Sequence, residues 1–99
     1  MFFSWFDARE AQNFGTAMAR FFIERIPANA GLSEKQFASK SKQVLEKMNH
    51  QVIDFRRQNK LNIYKTAQLG NAFKWALKDA GYEAGYIDKL TQWLVARLQ

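Results

Sequence analysis

The chain has 99 residues, of which 47% are hydrophobic and 24% are charged, and its formal net charge is +6. This length and balance fit one globular domain, residues 1–99, with a core of its own, and they exclude an intrinsically disordered chain. Cysteine is absent, which excludes disulfides, zinc–thiolate sites and thiol nucleophiles and makes the cytoplasm the expected location.

The N-terminal segment, residues 1–6, is unusually aromatic and carries no charged side chain. An apolar cluster of this kind has to be buried on the chain's own fold, on a partner or in a membrane. We expect part of it to cover another surface of the same chain and the remainder to form an interface. Its aromatic residues are Phe2, Phe3, Trp5 and Phe6.

Two helices are predicted in the first half of the chain. Apolar residues recur at helical spacing from about 7 to 26, with Asp7 and Glu10 as an expected capping box and Pro27 as the stop. A second and longest helix is expected over 34–58, where Ser33 and Gln36 form another capping box.

Two further helices are predicted over 63–80 and 84–98. Asn59 is expected to end the preceding helix in the left-handed conformation, Asn62 to cap the next one, and Gly81 to follow its last turn. No segment alternates long enough to predict a strand. The prediction is an all-α, compact bundle of four helices joined by short loops, with consecutive helices packed as antiparallel neighbours.

The sequence contains few residues in the arrangements that catalysis or metal binding requires. His50 is the only histidine, and its pairing with Asp54 one turn later is typical of a solvated helix surface. The nine acidic residues are scattered, and there is no glycine-rich phosphate loop. We therefore predict a non-enzymatic protein with no catalytic residues, metal or cofactor, and we identify no small-molecule substrate.

Basic residues are concentrated in the middle of the chain. Residues 35–78 hold ten basic and two acidic side chains, a sum of +8, whereas residues 1–34 and 79–99 each sum to −1. We expect this basic stripe to be a solvated helix face, because Glu46 interrupts it. The alternative is a stripe that binds a phosphate backbone or an acidic protein surface. The stripe consists of Lys35, Lys42, Arg56, Arg57 and Lys60.

The third predicted helix places two aromatic residues on its polar side. Tyr64 and Trp75 share a stripe with Gln68, Asn71 and Lys78, opposite the apolar arc. Exposed aromatic residues in such a setting are typical of an interaction hot spot. The alternative is that another part of the chain covers them, and the N-terminal aromatic segment is the expected cover.

The sequence assigns no specific biochemical function. We expect a small helical module for protein–protein interaction, with a protein partner or a second copy of the chain bound through the aromatic residues. The alternative is nucleic-acid binding by the basic segment 35–78. Acidic Glu83 and Asp88 at the start of the fourth helix argue against a DNA-reading helix-turn-helix.

Membrane association is disfavoured by the same residues. No run approaches the roughly 18 uncharged apolar residues of a membrane-spanning helix. Asp7 and Glu10 follow the aromatic segment directly, which argues against a cleaved targeting peptide and against insertion into a bilayer surface.

Overall fold

A computed structural model describes residues 5–99, so Phe2 and Phe3 lie outside the described residues. Within that range the chain is all-helical, with no strand. The all-α prediction is confirmed, and the second helix is the longest, with 25 residues. The four helices are α1 (Arg9–Arg25), α2 (Glu34–Gln58), α3 (Ile63–Asp79) and α4 (Ala84–Leu98).

The starts of α2 and α1 illustrate two different outcomes of capping. Ser33 accepts a hydrogen bond from the Gln36 backbone N–H at 3.2 Å, and Gln36 accepts one in return from the Ser33 N–H at 3.1 Å, so the predicted capping box is confirmed. The Asp7–Glu10 box is wrong. Both Asp7 carboxylate oxygens accept hydrogen bonds from Arg9, and α1 begins after Ala8 without a side-chain cap.

The ends of α3 and α2 also differ. Gly81 has φ of +93°, its N–H donates to the Lys78 carbonyl at 3.0 Å, and the Tyr82 N–H donates to the Leu77 carbonyl at 3.3 Å. This is the Schellman arrangement expected of a glycine after the last turn. The left-handed stop predicted at Asn59 is wrong: its φ is −135°, and its side-chain amide donates to a last-turn carbonyl instead.

The helices form a ring in the order α1, α3, α4, α2. The prediction of antiparallel neighbours holds for α1/α2, where Phe14 near the start of α1 stacks on Phe55 near the end of α2. It also holds for α3/α4, where Lys74 in the second half of α3 pairs with Asp88 near the start of α4. It fails for α2 and α3, which lie at opposite corners.

The closest pair, α1 and α3, is parallel: Gln12 near the start of α1 bonds Gln68 near the start of α3, and the Tyr82 hydroxyl after α3 donates to the Ile26 carbonyl after α1.

Small residues allow α1 and α3 to approach so closely. Gly15 lies directly on the α3 backbone, where an added Cβ would be 2.3 Å from the Leu69 carbonyl oxygen. Ala11 and Ala19, one turn to either side of Gly15, are also buried. All four helices share one hydrophobic core, whose largest fully buried side chains include Phe22, Phe73, Met18, Ile26, Met48, Leu69, Leu77 and Leu94.

Candidate functional site

Trp5, Phe6 and Tyr64 form an aromatic cluster at the end of the bundle where α1 and α3 begin. The Trp5 and Phe6 ring centroids are 5.0 Å apart, and they lie 6.3 Å and 5.6 Å from that of Tyr64. Tyr64 is partly buried, whereas Trp5 remains 48% and Phe6 52% exposed. The cluster is therefore held together by ring contacts, and about half of Trp5 and Phe6 remains exposed.

Asn62 fixes the position of this cluster. Its side-chain oxygen accepts from the Lys65 backbone N–H at 2.8 Å and so caps α3, as predicted. Its side-chain nitrogen donates to the Trp5 carbonyl at 3.0 Å. The Asn62 side-chain amide thus caps α3 and also holds the Trp5 backbone against the start of this helix. The sequence pattern indicated only the first of these two roles.

Trp75 is separate from the aromatic cluster. It lies three helical turns beyond Tyr64, about 16 Å further along α3, and is 57% exposed. The Lys78 ammonium lies 4.7 Å from the centre of its ring, and within residues 5–99 no aromatic ring packs on it. Trp5 and Phe6 therefore provide the expected cover for Tyr64 but not for Trp75.

All five residues of the basic stripe are exposed. None of them forms an ion pair with any described side chain. Arg56 differs from the other four because its guanidinium donates to the Arg97 carbonyl at 3.0 Å, at the C-terminal end of α4. Arg56 therefore has a capping role, which sequence spacing could not reveal because its partner lies 41 residues away.

A groove of about 770 Å³ lies between the α2–α3 loop, the start of α3 and the end of α4. We call it the α3/α4 groove. Its apolar lining residues are Leu61, Ile63, Ala67, Val95 and Leu98, its basic ones are Arg56 and Lys60, and no aspartate or glutamate side chain is among them. Within this lining Ile63 is 88% exposed.

Ile63 and Ala67 lie at helical spacing from the core residues Phe73 and Leu77 and therefore belong to the apolar arc of α3, yet both are exposed. The reason is the ring order of the helices. Since α2 lies at the corner opposite α3, nothing in the described chain closes this part of the arc.

The single histidine and the acidic residue one turn after it lie on the surface of the bundle. His50 and Asp54 are exposed on α2. Across residues 5–99, no group of three or more metal-ligating side chains comes together, and no helix is both long and apolar enough to cross a bilayer. Hydrogen bonding from Arg9 lowers the pKa of Asp7 to about 2, which reflects a local surface pair.

Comparison of the chain with protein-family models, with curated proteins and with solved structures finds no match.

Proposed function

We propose that the chain is a non-enzymatic helical module that binds a protein partner through the aromatic cluster of Trp5, Phe6 and Tyr64. The observation that carries this proposal is the state of Trp5. Its backbone is held by Asn62 and its ring is placed on Tyr64, yet 48% of the residue stays exposed. A large aromatic side chain that is both ordered and exposed has the properties of an interface anchor.

The energy available to a partner at this position is substantial. An aromatic side chain buries about 150–250 Å², so the open half of Trp5 amounts to about 100 Å², or on the order of 2 kcal/mol when it is covered. Because the ring is already positioned, binding loses little side-chain freedom there. Trp75 on the same side of α3 offers a second exposed ring to a partner that extends along the helix.

Charge favours a partner of different sequence over a second copy of the chain. Two copies that each carry +6 repel one another as they approach. An acidic partner is attracted instead by the positive charge of the chain as a whole. The cleft beside the aromatic cluster has a smaller excess of the same sign, since Arg9, Lys60 and Lys65 line it together with Asp7 and Glu10. Self-association through the cluster is the other form of the proposal, and it requires a concentration-dependent dimer.

The test compares Trp5→Ser/Phe6→Ser with a matched control. Ile53→Ser also removes an exposed apolar side chain, 40% exposed on α2 and away from the cluster. Partners captured from extract by the wild-type protein are identified, and their affinities are measured by calorimetry alongside sedimentation of the protein alone. A partner or dimer that tolerates Ile53→Ser and is weakened by the double variant supports the proposal. A monomer whose captured proteins do not distinguish the two variants contradicts it.

A second candidate, nucleic-acid binding, is favoured by four exposed stripe residues that have no ion pair with any part of the described chain: Lys35, Lys42, Arg57 and Lys60. If they contact phosphates, the logarithm of the affinity falls with the logarithm of salt by about 0.7–0.9 per contact. Lys42→Ala with Arg57→Ala is then expected to flatten that slope by roughly 1.4–1.8. An unchanged slope rejects this candidate.

A further inference from the structure

We propose that the α3/α4 groove receives an acidic amphipathic helix of the partner protein, which inserts aliphatic side chains beside Ile63 and places carboxylates next to Lys60 and Arg56. This inference rests on the proposed function, because it assumes that the chain binds a protein. It adds a second contact region and specifies the chemistry of the segment that occupies it.

The dimensions of the groove suit a helix. It continues into a shallower depression of about 410 Å³ along α4, and the two share Val95 and Gln99. The depression reaches Lys74 on α3, so the seam follows α3 from Ile63 for about 16 Å, which is three helical turns. An amphipathic ligand helix presents apolar side chains at matching intervals over that length.

The side chains along the seam leave room for close approach. Ala67 on α3 and Ala96 on α4 are exposed, and neither extends beyond a methyl group. Gly70 follows Ala67 by about one turn, and its missing side chain leaves space for a Val95 methyl group, which would lie 3.1 Å from an added Cβ. Small residues flanked by the larger Ile63 and Leu98 form a shallow channel that a helix ridge can enter.

The lining chemistry favours a peptide over a nucleic acid. Single-stranded nucleic acids are held by aromatic side chains on which bases stack, and the residues that line the groove include no aromatic one. Aliphatic lining suits leucine, isoleucine or valine of a ligand. The aromatic cluster lies on the neighbouring side of the α3 start and is reached by a different part of the partner.

Charge specifies the acidic character of the ligand. Lys60 and Arg56 lie at the loop end of the groove, without an acidic side chain in its lining. Arg56 uses one nitrogen to bond the Arg97 carbonyl, and its guanidinium retains further donors for a carboxylate. At the far end Lys74 is already paired with Asp88 at 3.7 Å. Carboxylates of the ligand are therefore expected near the loop end.

The test uses the whole protein, labelled with ¹⁵N, and a synthetic helical peptide as the probe. The peptide has about four turns, with leucine at every third or fourth position and glutamate between them. A twin peptide carries lysine in place of glutamate. We expect the acidic peptide to shift the amide signals of Ile63, Ala67 and Val95, and the basic twin to bind at least about tenfold more weakly.

Matched variants distinguish binding in the α3/α4 groove from nonspecific binding of the peptide elsewhere on the protein. Ile63→Ser is expected to weaken the acidic peptide by about tenfold or more, since one aliphatic contact is lost, and Lys60→Glu is expected to weaken it as well. Ile53→Ser and Lys35→Glu, which make the same changes outside the groove, should have no effect. Circular dichroism confirms that each variant is folded.

The outcomes distinguish this inference from the proposed function. Equal binding of the two peptides, shifts confined to the aromatic cluster, or an unchanged affinity in Ile63→Ser overturns the groove assignment. Displacement of the peptide by single-stranded DNA with the same shifts at Ile63 overturns it in favour of nucleic acid. The proposed function fails separately, when Trp5→Ser/Phe6→Ser leaves partner binding unchanged.

Discussion

Gly15 is the residue at which the packing of α1 on α3 is most sensitive to size. A methyl group there meets the Leu69 carbonyl oxygen at 2.3 Å, and a backbone atom cannot move aside as a side chain can. We therefore predict that Gly15→Ala lowers the free energy of unfolding by at least about 2 kcal/mol, despite the gain in helix propensity. Urea titration followed by circular dichroism measures the change.

Gly70→Ala is the matched control for this substitution. It has the same propensity gain of about 1 kcal/mol, but its Cβ meets the Val95 methyl group at 3.1 Å, and that side chain can shift. Its loss of stability should be clearly smaller than that of Gly15→Ala. Equal losses would show that the close backbone approach is not what requires glycine at position 15.

Tyr82 links the end of α1 to the α3–α4 turn. Its hydroxyl also makes the free energy of unfolding vary with pH in the alkaline range. Its hydroxyl donates to the Ile26 carbonyl, and burial raises the pKa of Tyr82 from 10.0 to about 12. The folded state therefore holds this proton more tightly than the unfolded state. The contribution of the Tyr82 hydroxyl to the free energy of unfolding is complete below pH 10 and is lost as the pH rises through about 12.

Tyr82→Phe removes both effects. We predict a loss of about 1 kcal/mol of unfolding free energy at neutral pH, and a difference from wild type that shrinks as the pH rises toward 12. Denaturant titrations across that range measure it. Burial also raises the pKa of Tyr86, so both proteins should still lose stability at high pH. A constant difference between them would contradict the assignment to Tyr82.

At the scale of single elements, Asn62 joins the start of α3 to the aromatic cluster. Asn62→Asp keeps an oxygen for the Lys65 N–H but lacks the amide donor to the Trp5 carbonyl. We predict an unfolding free energy within about 0.5 kcal/mol of wild type and increased acrylamide quenching of Trp5. The quenching is measured with Trp75→Phe and Trp93→Phe in the background, so that Trp5 alone emits.

Asn62→Ala completes the comparison. It lacks both the acceptor and the donor, and it should lose about 1 kcal/mol of stability as well as exposing Trp5. We thus expect Asn62→Asp to change only the quenching of Trp5, and Asn62→Ala to change both the quenching and the free energy of unfolding. If Asn62→Asp left Trp5 quenching unchanged, the hydrogen bond from Asn62 would have no part in positioning the cluster.

Element boundaries could be predicted from the sequence where the capping partners are close in the chain. Ser33 with Gln36, Asn62 with Lys65, and Gly81 satisfy backbone groups within a few residues. The prediction failed at Asp7 and Asn59, where a side chain has more than one local partner within reach. Arg9 bonds both oxygens of Asp7, and Asn59 bonds a carbonyl through its amide.

The candidate site could be predicted only in part, because periodicity shows which face of a helix is apolar but not which helix covers it. Tyr64 was recognised as misplaced on its polar face, and Trp5 and Phe6 do pack on it. The α3/α4 groove was not foreseen. It depends on α2 lying at the corner opposite α3, a tertiary fact that no local pattern contains.

At the scale of the whole molecule, the repulsion among the positive charges is larger than the attraction within the ion pairs. The net charge is +6, and the three ion pairs found among residues 5–99 are exposed, where such pairs contribute little to stability. We therefore predict that adding sodium chloride up to about 0.15 M raises the melting temperature, because screening weakens the repulsion more than the pairs.

Lys42→Glu is the control for this salt effect. It lowers the net charge and reverses one residue of the basic stripe without touching the core. Its melting temperature should rise less with salt than that of wild type, as measured by calorimetry at matched ionic strengths. A melting temperature that falls with salt in the wild-type protein would mean that the exposed ion pairs outweigh the repulsion.

The parallel packing of α1 on α3 also constrains the order in which the chain acquires its structure. The partners Gln12 and Gln68 are 56 residues apart, so α1 is synthesised well before the helix that covers it. At about 5–20 residues per second, the interval on the ribosome is roughly 3–11 seconds. During that time the Gly15 face of α1 has no helix α3 to pack on, so we expect it to stay exposed until the residues around Leu69 have been synthesised.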